Sequence, residues 1–246
     1  MTPVVAYPVI CAGARERQYW IRRVASNMPY KWAICAFIGC LGVRAAAEII
    51  RFDTAKPGSV PSGWTVVMHN GGAPGWEVRQ DTSAPSKPNV LAQVSADGND
   101  SRFPMAIFNK ADYRDGELSV KFKTVAGRAD QVAGIVWRYR DPNNYYVVRA
   151  NALENNIVMY RVQDGHWMPL SPRGKPRETY GVRHRIPAHT WSILKVSFRR
   201  SRFEVYFDHR KVFEADDSTF AQPGKVGLWT KADSVTYFDD FQFSGK

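Results

Sequence analysis

Cysteine is absent beyond residue 40: the three that exist are Cys11, Cys35 and Cys40. Without cysteine, the rest of the chain has no disulfide, thiol nucleophile or thiolate-bound metal. Long apolar runs are missing too. The best of them, Trp32 to Val43, falls short of the ~20 residues a membrane span needs. No internal repeat or low-complexity tract occurs, and no stretch of a dozen residues keeps a helical period, which excludes solenoids and helix bundles. The five histidines, His69, His166, His184, His189 and His209, lack zinc-ligand spacing.

What precedes residue 48 is leader-like. Lys31 supplies a basic start, Trp32 to Val43 the apolar segment, and Ala45, Ala46 and Ala47 small residues for cleavage. Residues 28–47 thus read as a secretory signal peptide cleaved near Ala47, although Arg44 interrupts the pattern. Residues 1–27 match neither a signal nor a folded segment. Gly39-Cys40 is a weak lipidation signal beside Phe37 and Ile38. The expected product is periplasmic or secreted, without a transmembrane span, and an exported domain argues against nucleic acid as partner. Six of the 34 basic and one of the 23 acidic residues lie in 1–47, leaving 28 and 22 beyond it, a balance of +6.

Residues 48–246 read as one all-β domain. Short runs of alternating apolar residues recur between Gly, Pro, Asn and Asp, the pattern of a β-sandwich or barrel, and about a dozen such runs are enough for two packed antiparallel sheets. Strands are expected at 48–52, 76–80, 90–95, 105–109, 116–124, 132–139, 144–151, 156–163, 191–199, 202–207, 211–214, 225–230 and 235–243. Segment 168–190 is long, Pro-rich and basic, with Arg173, Lys175, Arg177, Arg183 and Arg185; loops of that length are often functional or disordered.

Alternate residues of a strand face opposite ways. The apolar sets Leu118/Val120/Phe122, Ile135/Trp137/Tyr139, Tyr146/Val148/Ala150 and Val158/Tyr160/Val162 are expected in the core. The opposite face then carries Lys121, Lys123, Arg138, Arg140, Tyr145, Arg149, Asn151 and Arg161, almost without acids. A face of one sign suits an anionic or strongly polar partner, whereas a solvated outer face is the plainer alternative. Glu154, following Arg149 and Asn151, and Asp233 are the loop carboxylates open to acid/base roles.

The run DQVAGIVWRYRDPNNYYVVRANALENNIVMYRV, with GKVGLWTKADSVTYFDDFQF near the C-terminus, resembles concanavalin A-like (laminin G-like) jelly-roll domains of secreted bacterial proteins. These are grouped with the 3-keto-disaccharide hydrolase domains and named family 16 glycoside hydrolase-like. The resemblance covers about residues 48–246 and implies a two-sheet antiparallel jelly-roll sandwich. That superfamily holds binding modules and enzymes alike. The paired carboxylates of family 16 glucanases, E-x-D-x-(x)-E, are missing; Glu204 to Asp208 is the nearest run. Tyr146-Val147-Val148-Arg149 stands where keto-disaccharide hydrolases carry Gly-x-Glu, and the Gln-x-His motif of alginate lyases is absent. The expectation is therefore an exported carbohydrate-binding domain for a polar or acidic glycan, contacting it through Lys121, Arg138, Tyr145, Arg149, Asn151, Arg161, Trp229 and Lys231. The alternative is a glycoside hydrolase or lyase using Glu154 and Asp233. The residues themselves specify no cofactor, but the superfamily implies a structural Ca²⁺ where first and last strands meet, and Asp53, Asp239 and Asp240 are its candidate ligands. Turn capping, or pairing with Arg51 or Lys231, would equally account for these acids.

Overall fold

The computed structural model describes residues 47–246. The expected signal segment up to residue 46, and Cys40, lie outside the described residues. Among the described residues, no helix is long and apolar enough to cross a membrane.

Sixteen strands follow one another among these residues. They are β1 (Glu48–Ile50), β2 (Trp64–His69), β3 (Trp76–Gln80), β4 (Asn89–Gln93), β5 (Phe103–Tyr113), β6 (Gly116–Ala126), β7 (Val132–Asp141) and β8 (Asn144–Asn151). Then come β9 (Asn156–Gln163), β10 (His166–Pro169), β11 (Val182–Arg183), β12 (Ser192–Arg199), β13 (Arg202–Phe207), β14 (Arg210–Asp216), β15 (Gly224–Trp229) and β16 (Val235–Gly245). The first sheet runs β14-β13-β12-β6-β16-β4-β3, with β1 on β16; the second runs β10-β9-β8-β7-β15-β5-β2, with β11 on β9. The two form the packed antiparallel sheets expected from the alternation pattern, in the jelly-roll sandwich that the resemblance implies.

Between the sheets lies the main core. Leu118, Val120 and Phe122 from β6 meet Ile135 and Trp137 from β7 and Tyr146, Val148 and Ala150 from β8. Trp137 packs among Tyr146, Phe198 and Phe203, with ring centroids 5.5, 6.2 and 5.3 Å away. The opposite face of the second sheet is apolar as well. Phe103, Met105, Val136, Tyr145, Val147, Tyr160 and Trp229 form a second buried cluster, capped by Trp167.

Two expected facings are reversed. On β9, Ile157 and Met159 enter the main core, whereas Val158, Tyr160 and Val162 lie on the other face. The β8–β9 register dictates this: Tyr145 pairs with Val162, Val147 with Tyr160 and Arg149 with Val158. Alternation could not decide, because β9 is apolar on both sides and both sides are buried. On β7, the pairing with β8 is irregular between Trp137 and Asp141, and Arg138 takes a left-handed φ of 47°. A bulge adds one residue and shifts the alternation. Tyr139 therefore joins the outer cluster, and Arg138 turns into the end of the sandwich.

Candidate functional site

The site is built where β8 ends. Arg149 projects from the outer face of the second sheet, opposite Gly134 on β7, which in turn pairs with Trp229 on β15. Gly134 leaves the room this row needs: a Cβ there would lie 3.0 Å from the Trp229 ring. Arg149 is only 3% exposed, and both terminal nitrogens of its guanidinium are engaged. It donates to Asn156 Oδ1 at 2.5 Å, to Glu154 Oε2 at 2.8 Å and to the Tyr180 hydroxyl at 2.9 Å. The Tyr160 hydroxyl touches that of Tyr180 and lies 3.4 Å from Arg149. Asn156 donates to the same Glu154 oxygen at 2.9 Å.

A second polar string adjoins the first. Asn151 donates to Asp130 Oδ1 at 2.6 Å, Asp130 Oδ2 lies 2.8 Å from Lys231 Nζ, and Lys231 reaches Asp100 Oδ1 at 2.5 Å. Asn151 Oδ1 also accepts from the N–H groups of Leu153 and Glu154, shaping the turn that carries Glu154. The Asp233 carboxylate accepts from the backbone N–H groups of Arg128, Ala129 and Asp130 and so holds the 127–131 loop in place.

The electrostatics follow from these contacts. Burial opposes the Arg149 charge, but Tyr160, Tyr180 and Glu154 outweigh it and raise its pKa. Partial burial pushes the Glu154 carboxyl up, yet the adjacent Arg149 and the Asn156 hydrogen bond hold it below its usual value. Burial dominates at Asp130 and raises its pKa despite Lys231. Burial also opposes ionisation of Asp233, and the backbone N–H donors reverse the effect. Arg149 and Lys231 thus face three carboxylates, Glu154, Asp130 and Asp100. With two cations against three carboxylates, this part of the face is not basic.

Arg149, Asn151, Lys231 and Glu154 come together, with Asp233 supporting them from behind. The other expected contact residues lie elsewhere. Tyr145 and Trp229 are 0% and 1% exposed and belong to the second cluster, so neither ring can stack on a ligand. Arg138 donates to the carbonyls of Arg114, Phe220 and Arg200. Arg161 follows the reversed phase of β9 and binds Asp217 and Thr219 at 2.7 and 2.6 Å. Lys121 is on the first sheet, bonded to Asp240 at 2.7 Å, and lines a groove of about 530 Å³ whose other lysine, Lys195, pairs with Glu117. Of the residues not singled out from the sequence, Tyr180 and Leu153 supply the exposed apolar surface, at 50% and 47% exposure.

The three calcium candidates do not converge. Ser86 donates its N–H and hydroxyl to Asp239, at 2.7 and 2.8 Å, and its hydroxyl lies 3.4 Å from Asp53. Asp240 turns to Arg51 and Lys121 instead. Among the described residues, no three His, Cys, Asp or Glu side chains are placed to hold a metal ion. The acids cap and pair, so this donor set does not fit Ca²⁺.

The sequence profile of the 3-keto-α-glucoside-1,2-lyase-like domain matches residues 56–244. The chain belongs to that family. Among solved structures, this lyase-like domain is similar to the carbohydrate-binding module CBM66 from Bacillus subtilis, at 19% identity and a TM-score of 0.57, covering 74% of this chain and 96% of that one. It is also similar to a protein of unknown function with a galectin-like fold from Bacillus subtilis, at 9% identity and a TM-score of 0.50, covering 74% and 88%. At these identities the likeness is one of fold. No match is found among curated protein sequences.

Proposed function

We propose that this exported domain binds an uncharged, hydroxyl-rich sugar at the Arg149–Glu154–Lys231 site. The observation that carries the reading is the pairing of both cations with carboxylates beside exposed Tyr180 and Leu153. The exposed Glu154 carboxylate and the part-exposed Lys231 ammonium offer acceptors and donors to sugar hydroxyls, and buried Arg149 fixes Glu154 in place. Tyr180 offers a ring face of the kind that packs against a sugar's C–H surface. An acidic sugar would meet three carboxylates there, which disfavours it. The test is a screen of neutral and acidic glycans against the protein, with Arg149→Ala and Glu154→Gln as controls. Retention of a neutral glycan that Arg149→Ala abolishes supports the reading; retention of acidic glycans alone, through Arg149, refutes it.

A second reading, as a lyase, is favoured by an ionised, half-exposed Glu154 beside Arg149. In a 3-keto glucoside the ketone acidifies the proton on C2. Glu154 would take that proton, the C2 electron pair would form the C1=C2 bond, and the C1–O bond would break, its oxygen leaving and taking up a proton. Arg149 would stabilise the enolate oxygen. The enone product absorbs in the ultraviolet, so its appearance from a 3-keto glucoside, lost in Glu154→Gln, tests this reading.

A further inference from the structure

The glycan site leaves one strongly charged surface unexplained. The connection from β10 through β11 to β12 carries Arg173, Lys175, Arg177, Arg183 and Arg185, all exposed, against one acid, Glu178. Arg173 sits near Glu214 and Asp216, at 3.8 and 3.5 Å. Among the described residues, no carboxylate lies within ion-pair distance of Lys175, Arg177, Arg183 or Arg185, whereas Lys121, Arg149, Arg161, Lys195 and Lys231 are each paired.

The connection is ordered by its own backbone. Arg173 N–H donates to Glu214 O, Lys175 to Pro172 O, Thr179 to Pro176 O and His184 to Asn155 O. The Asn155 side chain accepts from Ile186 N–H. At Gly181 (φ 58°) the chain passes so close to β9 that a Cβ would lie 2.3 Å from Ile157 O. The four free cations therefore stand on a fixed strap, and binding to them orders little additional backbone. Three of the four are arginines, whose forked guanidinium matches a carboxylate with two hydrogen bonds.

The strap also borders the sugar site. Arg183 is in register with Asn156, and the Tyr180 hydroxyl meets Arg149. The only large hydrophobic side chain exposed on it is Tyr180, and its hydroxyl is turned inward. That favours a hydrated polyanion over insertion into a bilayer.

We infer that the 175–185 strap is a second binding surface, for the carboxylates of an acidic polysaccharide, separate from the uncharged-sugar site beside it. Its charge pattern stands without the sugar reading; only its continuity with that site rests on it. An acidic polymer would lie along Arg177, Arg183 and Arg185, and the screened attraction would weaken as salt rises.

The experiment measures retention by polygalacturonate and by its fully methyl-esterified form, which share a backbone and differ in charge. We expect the whole protein to bind the acid and not the ester, and binding to weaken at least about tenfold between about 50 and about 500 mM NaCl. The triple variant Arg177→Ser/Arg183→Ser/Arg185→Ser should lose binding with its melting midpoint unchanged. If it misfolds, Lys175→Ser/Arg177→Ser, which touches no register pair, replaces it. Arg149→Ala should bind polygalacturonate as before, so failure of the sugar site and failure of the strap read out separately. Four outcomes overturn the inference: no binding of polygalacturonate, equal binding of the ester, undiminished binding by the loop variants, or capture of anionic phosphatidylglycerol vesicles without polygalacturonate.

Discussion

Asn151 joins the two halves of the site through Asp130: its amide donates 2.6 Å to the buried carboxylate while its carbonyl oxygen gathers the turn that presents Glu154. Replacement by Ala would strand Asp130 without that donor and free the turn. A buried acceptor left unpaired costs about 1–3 kcal/mol. Asn151→Ala should therefore lower the melting midpoint by several degrees and weaken sugar binding together. Asn151→Asp should be worse at neutral pH, where two buried carboxylates meet, and partly recover on acidification. Calorimetry between pH 5 and 8 checks both; a destabilisation of Asn151→Asp that ignores pH would contradict the contact.

Arg149→Lys tests the fork rather than the charge. Lysine keeps the cation beside Glu154 but cannot serve Asn156, Glu154 and Tyr180 at once. The expected result is a roughly tenfold loss of affinity, about 1.4 kcal/mol, with little change in enthalpy of unfolding. Wild-type affinity in this variant would show that a point charge suffices.

The buried phenols predict sensitivity to alkali. Burial raises the pKa of Tyr139 to about 12 and pushes Tyr145, Tyr146 and Tyr160 up as well. An unfolded tyrosine ionises near 10, so above that pH the unfolded state loses protons that the folded state keeps. Stability should hold below pH about 10 and fall beyond it, by up to about 1.4 kcal/mol per pH unit for each phenol. Tyr145 has no hydrogen-bond partner for its hydroxyl among the described residues. Tyr145→Phe should flatten the decline in a series of thermal melts without harm at neutral pH.

Acid should act through Glu154 in the opposite direction. Its folded pKa lies below the ordinary 4.5, so its pairing with Arg149 stabilises the protein above that value and is lost as pH falls through the lower, folded one. Sugar binding should accordingly survive mild acid, and Glu154→Gln should remove the acid limb of a binding titration.

Chelation should leave the protein unchanged. Asp239 is held by Ser86, and Asp240 by Arg51 and Lys121, so EDTA is expected to leave the melting midpoint where it was. A clear rise on adding calcium, lost in Asp239→Asn, would show that the acids rearrange around the ion.

The legible parts of this molecule were those governed by local chemistry. The strands at 76–80 and 144–151 stand where turn residues and alternation put them, and the outward set of β8 is Tyr145, Val147, Arg149 and Asn151 as alternation requires. Position along a strand did not reveal exposure, because the outer face of this sheet has a core of its own, and Tyr145 and Trp229 are sealed within it. Nor did it reveal charge balance. The partner of Arg149 is five residues away, but Asp100 reaches Lys231 across 131 positions. A one-signed list of strand residues says little when the countercharges arrive from loops. The Arg138 bulge leaves no mark in the alternation, and Tyr180 lies in a loop, where periodicity assigns no face.

Arg138 has a consequence for how this scaffold can change. Its guanidinium binds carbonyls from the β5–β6 turn, the β12–β13 turn and the segment leading into β15. One cation thus fastens three connections at a common knot. An insertion in any of them must leave its carbonyl in place or release a buried charge, which is strongly destabilising. Buried Arg102 makes a second clasp beside Lys231, binding the carbonyls of Ala73, Asp97 and Ala232 from the β2–β3, β4–β5 and β15–β16 connections. New specificities grafted onto this sandwich should accordingly be tolerated in a connection that neither arginine holds, such as the β8–β9 turn that carries Glu154, and rejected in the six that the two arginines fasten.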